Sequence, residues 1–246
     1  MKIQRILALL KMELKKVIRE PAFLFLMLLF PAVLTIAFGF AFSDPALGLS
    51  FNVMAPGLFA YACIFIIMTV AQSFSDIRDE GLLRRLNTTP MTSGDFMGSQ
   101  VISNMIIAIL QVLVVFFLAL PFGFSPNTHI GGILLAFLLM AILSLSSVGL
   151  GLITATISKS SGTATGLSFI FILPQMFFGT FMPITDTTRL IAMAMPSYYA
   201  TDAIRTIYSG SSLLSSNLLI DFSFVSIVSI IIVIIGIQLF KKYGNK

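Results

Sequence analysis

Six long apolar stretches run through this chain, at about residues 22–42, 53–74, 98–120, 130–157, 163–182 and 220–240. A helix needs around 20 residues to cross a hydrocarbon core of about 30 Å, and each stretch is long enough. Lipid offers no water to an exposed peptide group, so a segment of this length must satisfy its own hydrogen bonds as a helix. Charged residues are only 10% of the 246, which is too few to cover a soluble domain of this size. The expected fold is an all-α membrane protein with six transmembrane helices, organised as one transmembrane domain over residues 1–246.

Orientation follows from the basic residues. The chain has 15 Lys and Arg, and all but Arg189 and Arg205 fall on one side of the apolar stretches. By the positive-inside rule that side is cytoplasmic, so both termini face the cytoplasm of a multi-pass plasma membrane protein. A cleavable signal peptide is not expected, because the first apolar run, 6–10, is short and ends at Lys11. The basic residues flank apolar spans and form no stripe, so nucleic acid is not an expected partner.

Residues 2–20 read as an amphipathic helix. Ile3, Leu7, Leu10, Leu14, Val17 and Ile18 fall on one arc, Arg5, Lys15, Lys16 and Arg19 on the other, and Lys11 at the border. Leu9 breaks the pattern on the polar side. Such a helix either lies in the headgroup plane or packs on a partner protein. Pro31 and Pro174 are expected to kink the first and fifth spans. The extracytoplasmic segment 183–212 holds two short apolar-rich pieces around Pro196. Neither can cross a bilayer, so they read as short re-entrant helices, with Ser197 as N-cap of the second.

Several chemistries have no residues to carry them. There is no phosphate loop of the form G-x-x-x-x-G-K-[ST], and the cytoplasmic loops are too short for a nucleotide-binding domain. His129 is the only histidine and reads as a loop-edge side chain; Cys63 reads as a small packing residue. No Lys, Arg, Asp or Glu sits in mid-span, and Asp221 lies at the outer edge of the sixth. Ion-coupled transporters place ionisable groups near the midplane, so any energy source lies outside this chain. Gln72, Asn104, Gln111, Ser144, Ser146, Ser147, Thr154, Thr156 and Gln175 are neutral polar residues within spans. They either hydrogen-bond across helices or line a path. The small residues of 144–151 suggest close helix contact, within the chain or at a subunit interface.

One compact charged insert remains, Asp76-Ile77-Arg78-Asp79-Glu80-Gly81-Leu82-Leu83-Arg84-Arg85. Acidic residues first and basic residues last suit a short cytoplasmic helix over about 76–87, ended by Pro90. With Leu82, Leu83 and Leu86 as an apolar face, it is either a helix that docks into a partner's groove or a solvated loop.

Ala55-Pro56-Gly57, the run from Asp79-Glu80-Gly81 through Arg84-Arg85-Leu86 to Thr89-Pro90, and Gly149-Leu150-Gly151 followed by Ile157-Ser158-Lys159, Pro174, Pro183 and Pro196-Ser197-Tyr198-Tyr199-Ala200-Thr201-Asp202-Ala203-Ile204-Arg205 occur in an order and spacing that resemble type-2 ABC exporter permeases. The resemblance covers essentially the whole chain. It implies a permease subunit with no catalysis or cofactor of its own, working as a dimer with a second permease copy or homologue and with ABC ATPase subunits that hold ATP and Mg. Residues 2–20 would be the connecting helix and 76–90 the coupling helix, with Asp79, Glu80, Gly81, Arg84 and Arg85 at the ATPase contact. Residues 183–212 would form the outer gate, with Pro183, Pro196, Tyr199, Asp202 and Arg205. The family often has Lys at Gln100 and Glu at Arg84, so contacts made by those residues would differ here.

The substrate is approached through aromatic usage: 24 Phe, 5 Tyr and no Trp. Sugars favour Trp and Tyr platforms, whereas Phe59, Phe65, Phe169 and Phe177 would make an apolar path. That favours a lipid-like or hydrophobic drug-like substrate. A polysaccharide or glycolipid exporter of the same family and a non-transporting membrane scaffold are the alternatives, and Phe as ordinary packing is the competing account of those side chains.

Overall fold

The computed structural model of the chain describes residues 3–19, 21–42, 51–81, 93–182 and 184–243. All regular structure among them is helical. The α-helices are α1 (Ile3–Arg19), α2 (Pro21–Ala41), α3 (Phe51–Asp79), α4 (Ser93–Ala119), α5 (Ile130–Ile157), α6 (Ser161–Met176), α7 (Asp186–Met193), α8 (Pro196–Tyr208) and α9 (Ser216–Tyr243). A 3-10 turn, Leu120–Phe122, ends α4, and a π turn, Phe177–Phe181, extends α6. Five of these helical stretches are long and apolar enough to cross a membrane: Phe51–Asp79, Gly94–Phe122, Ile130–Ile157, Ser161–Phe181 and Ser216–Tyr243. The described apolar part of α2, Met27–Ala41, is shorter, so the expected six spans are matched at five.

The central helix is α3. It packs on α2, α4, α5, α6 and α8, and its residues from Ala55 to Ile67 are all buried. Its sequence explains why: Ala, Gly and Cys alternate with large side chains, so neighbouring helices can approach on several sides. Cys63 is buried within 3.4 Å of the Met140 carbonyl on α5, a packing residue as expected. Gly57 sits where a Cβ would lie 2.7 Å from the Thr180 carbonyl oxygen, so the Pro-Gly pair that opens this helix lets α3 touch the π turn.

The 144–151 run makes close contacts within the chain. A Cβ on Gly236 of α9 would meet the Gly149 carbonyl at 2.5 Å, and one on Gly149 would meet the Ile232 backbone at 2.7 Å. Gly151 opposes Val70 of α3 in the same way. Small residues let backbones approach closely where no hydrophobic drive separates helix from lipid.

α1 packs against α4, and the residue that broke its pattern explains the contact. Leu9 is buried, whereas Leu7 and Ile18 on the apolar arc are 56% and 69% exposed. Leu10 and Leu14, also on that arc, are half-buried, and Leu14 packs on the core, so the helix buries one side of the arc together with Leu9. The in-span polar residues also divide. The Asn104 amide and the hydroxyls of Ser144, Ser146, Thr154 and Thr156 bond carbonyls three or four residues back on their own helices, a reach that short side chains make locally. Gln111 instead crosses from α4 to donate to the Met27 carbonyl at 3.1 Å. That carbonyl lies four residues before Pro31, which has no N–H to give it.

Two stability predictions follow from these contacts. Gln111→Leu should cost about 1–3 kcal/mol by stranding the Met27 carbonyl, and far less in a Pro31→Ala background, where the backbone N–H returns. Equal cost in both backgrounds, measured by denaturation in detergent, would break the link. Gly236→Val should cost about 1–3 kcal/mol by overpacking against backbone that cannot yield, whereas Gly166→Ala, with open space around it, should be neutral or stabilising.

Candidate coupling and gating sites

The charged insert begins on α3 itself. The charge order predicts a separate helix from Asp76, but α3 continues unbroken to Asp79. The N–H of Glu80 still bonds the Asp76 carbonyl at 2.9 Å, so the helical ladder carries past the expected boundary. The stop is at Gly81, whose φ of 66° is left-handed and whose N–H bonds the Arg78 carbonyl at 3.0 Å. A glycine takes that conformation without the Cβ clash, and ends helices for that reason. Asp79 and Glu80 are exposed beside it. Arg84, Arg85 and the rest of the expected 76–90 helix lie outside the described residues.

Arg78 is the residue that sequence reasoning passed over. Its Nη1 donates to the carbonyls of Ala155 and Ser158, both at 2.9 Å, its Nη2 to the Ser75 hydroxyl at 3.0 Å, and its Nε to Asp79 at 3.2 Å. Ala155 lies in the last turn of α5, where carbonyls lack helical partners and the helix dipole favours a cation. The forked guanidinium can hold several acceptors at once, which a lysine cannot. Just beyond, Ser160 caps α6 in a reciprocal box with Thr163, so α5 turns into α6 within three residues. Arg78 therefore ties the base of the insert to the α5–α6 turn. The only signal for it was an arginine one position before the acidic pair.

At the other end of the bundle, α8 inserts its apolar face against α3, α5 and α9, burying Ala200, Ala203, Ile204 and Ile207. Pro196 occupies its first position, where a missing N–H costs nothing. The N-cap is Met195; Ser197, expected there, is fully buried one step inside the helix. Its hydroxyl donates to the Gln175 carbonyl of α6 at 3.2 Å. A Cβ on Gly179 would collide with that hydroxyl, so glycine in the π turn admits the start of α8. Tyr199 faces α9, its ring centroid 3.9 Å from that of Phe224. Asp202 and Arg205 are half-buried farther along α8, and burial raises the pKa of the Tyr208 phenol, keeping it neutral. Pro183 lies outside the described residues. α7 is eight residues long and leaves Leu190, Ile191 and Met193 exposed.

The four phenylalanines separate into two places. Phe59 is core, packed among Phe116, Phe124 and Tyr208. Phe65 is buried and stacked on Phe30 at 5.0 Å. Phe169 and Phe177 are exposed on the outer side of α6 and its π turn, with Ile170 and Leu173. Gln100 is buried in α4, and its carbonyl accepts from Asn104.

Arg78→Gln should speed amide exchange across residues 155–163 and lower stability by about 1–3 kcal/mol, since it strands the Ser158 carbonyl and leaves the Ala155 carbonyl only the Ser158 hydroxyl. Arg78→Lys should recover part of both. Unchanged exchange in Arg78→Gln would remove the clamp.

Comparison with protein families matches residues 4–208 to the ABC-2 type transporter model. Comparison with curated proteins gives no match. The match spans the insert, α8 and every membrane-length helix but α9, and together with those helices it makes the chain a multi-pass membrane protein. A bundle of membrane-length helices with a clamped charged insert at one end, matched over 4–208, belongs to the ABC-2 type transporter family as a permease-type membrane subunit that is not itself catalytic.

Proposed function

We propose that the chain is the membrane subunit of an ATP-driven exporter, moving a lipid-like or hydrophobic drug-like substrate outward with energy from separate ATPase subunits. The observation that carries this reading is the Arg78 clamp. Force applied to the segment after Gly81 would reach α3 directly through its own helix and the α5–α6 turn through Arg78. In this reading the insert, with Asp79, Glu80, Gly81, Arg84 and Arg85, is the coupling element, and the ATPase subunits carry ATP and Mg.

α2 serves as the first of six spans, which places both termini on the cytoplasmic side with α1 at the membrane surface. At about 1.5 Å per residue, α7 and α8 are too short to cross lipid, and the buried apolar face of α8 suits a re-entrant helix in the outer leaflet. With Pro183, Pro196, Tyr199, Asp202 and Arg205 they form the outer gate. Two copies, or this chain and a homologue, pair to enclose the path. The exposed Phe169 and Phe177 of α6 suit its wall, whereas Phe59 and Phe65 support α3 from inside. Phe-rich, Trp-free composition favours an apolar cargo.

The test is ATPase capture and transport in vesicles with Glu80→Ala and Arg85→Ala. Loss of a charge at a docking contact should weaken capture or coupled transport about tenfold or more while the chain's abundance in the membrane is unchanged. Full capture and full transport in both variants would overturn the coupling assignment.

A further inference from the structure

A cavity of about 450 Å³ opens at the end of the bundle opposite Arg78, between the start of α3, the loop after α4 and the end of α8. Its walls are held by specific bonds. Asn52 of α3 accepts from the Ser125 N–H at 2.9 Å and donates to the Ser125 hydroxyl at 3.4 Å, and the Asn127 N–H bonds the Tyr208 carbonyl at 2.9 Å. A loop stitched on both sides makes a preformed site, which costs little to order on binding.

The lining is chemically lopsided. Arg205 is its only charged residue; Asn127 and Ser125 add neutral polar groups, and Val53 and Phe124 add apolar surface. Among the described residues no carboxylate forms an ion pair with Arg205. A permanent cation that lines a cavity with no counter-charge beside it favours an anion there. The guanidinium fork matches the paired oxygens of a phosphate, and with polar groups around it and Val53 half-exposed at the rim, the site offers a place for a headgroup beside an apolar surface.

We propose that this cavity binds a phosphate-class anion through Arg205, carried as the headgroup of an amphiphile. The site belongs to this chain alone, so its test stands apart from ATPase docking and from transport. Purified full-length protein in dodecyl maltoside is titrated calorimetrically with dihexanoyl phosphatidic acid, inorganic phosphate and dihexanoylglycerol. Phosphatidic acid should bind saturably at one per chain, dihexanoylglycerol should not, and Arg205→Gln should weaken binding roughly ten- to hundredfold, with Arg205→Lys retaining part. Binding of phosphatidic acid alone identifies a lipid headgroup; equally tight inorganic phosphate identifies the free anion as the ligand and removes the amphiphile. A thermal melt checks that the variants fold. Should Arg205→Gln fail to fold, Asn127→Ala must still weaken binding severalfold. Equal binding of dihexanoylglycerol, or unchanged affinity in the folded variants, overturns the site.

Discussion

A peptide carbonyl in hydrocarbon has no water to accept from, and this constraint organises the bundle. It is met cheaply within a helix and becomes a problem wherever a helix is interrupted. At three such places among the described residues a side chain from another helix donates to the carbonyl. Gln111 donates to the Met27 carbonyl that Pro31 leaves open. Arg78 donates to Ala155 and Ser158 where α5 ends. Ser197 donates to Gln175 where α6 passes into its π turn. Each repair joins elements distant in sequence, so the same bonds that satisfy the backbone also fix which helices are neighbours.

Close packing supplies the rest. Apolar side chains gain little by leaving lipid for protein, so attraction depends on contact area and on how near the backbones come. The glycines at 57, 149, 151, 179 and 236 mark those approaches. They join α3, α5 and α9 into a dense centre, with the start of α8 held against the π turn. α1, α7 and the outer side of α6 keep large apolar side chains exposed. The centre along α3 and α5 is thus tightly packed, while the edges keep apolar side chains outward.

Much of this was legible in the sequence because lipid enforces simple rules. Helix positions followed from apolar length, and α5 was placed to the residue because turn-forming polar residues bound it on both sides. Other features depended on the partner across the contact. Ser197 reads as an N-cap beside Pro196, but proline takes the first helical position and pushes the serine inward, where α6 offers it a carbonyl. Leu9 reads as an error in an amphipathic pattern because its burial depends on where the neighbouring helices lie, which the pattern does not carry. The insert read as a separate helix because its charges looked like a new N-terminus, yet nothing before Gly81 breaks the α3 ladder. Arg78 was invisible as a clamp, since its acceptors are backbone atoms about 80 residues away and backbone carries no signature in sequence.

The two ends of the bundle differ in how they treat their arginines, and that difference bears on direction. Arg78 is saturated by four acceptors, all of them protein atoms, so it has little capacity left for a ligand and acts as a strut. Arg205 lines a cavity and, among the described residues, pairs with no carboxylate, so its charge is left for a ligand. The helix that starts at the Arg205 cavity, α3, ends at the Arg78 strut, about 43 Å away at 1.5 Å per residue. A displacement applied at the strut travels along a helix whose centre is packed on all sides, so it cannot be absorbed midway by side-chain rearrangement. At its far end Asn52 bonds Ser125 in the wall of the cavity.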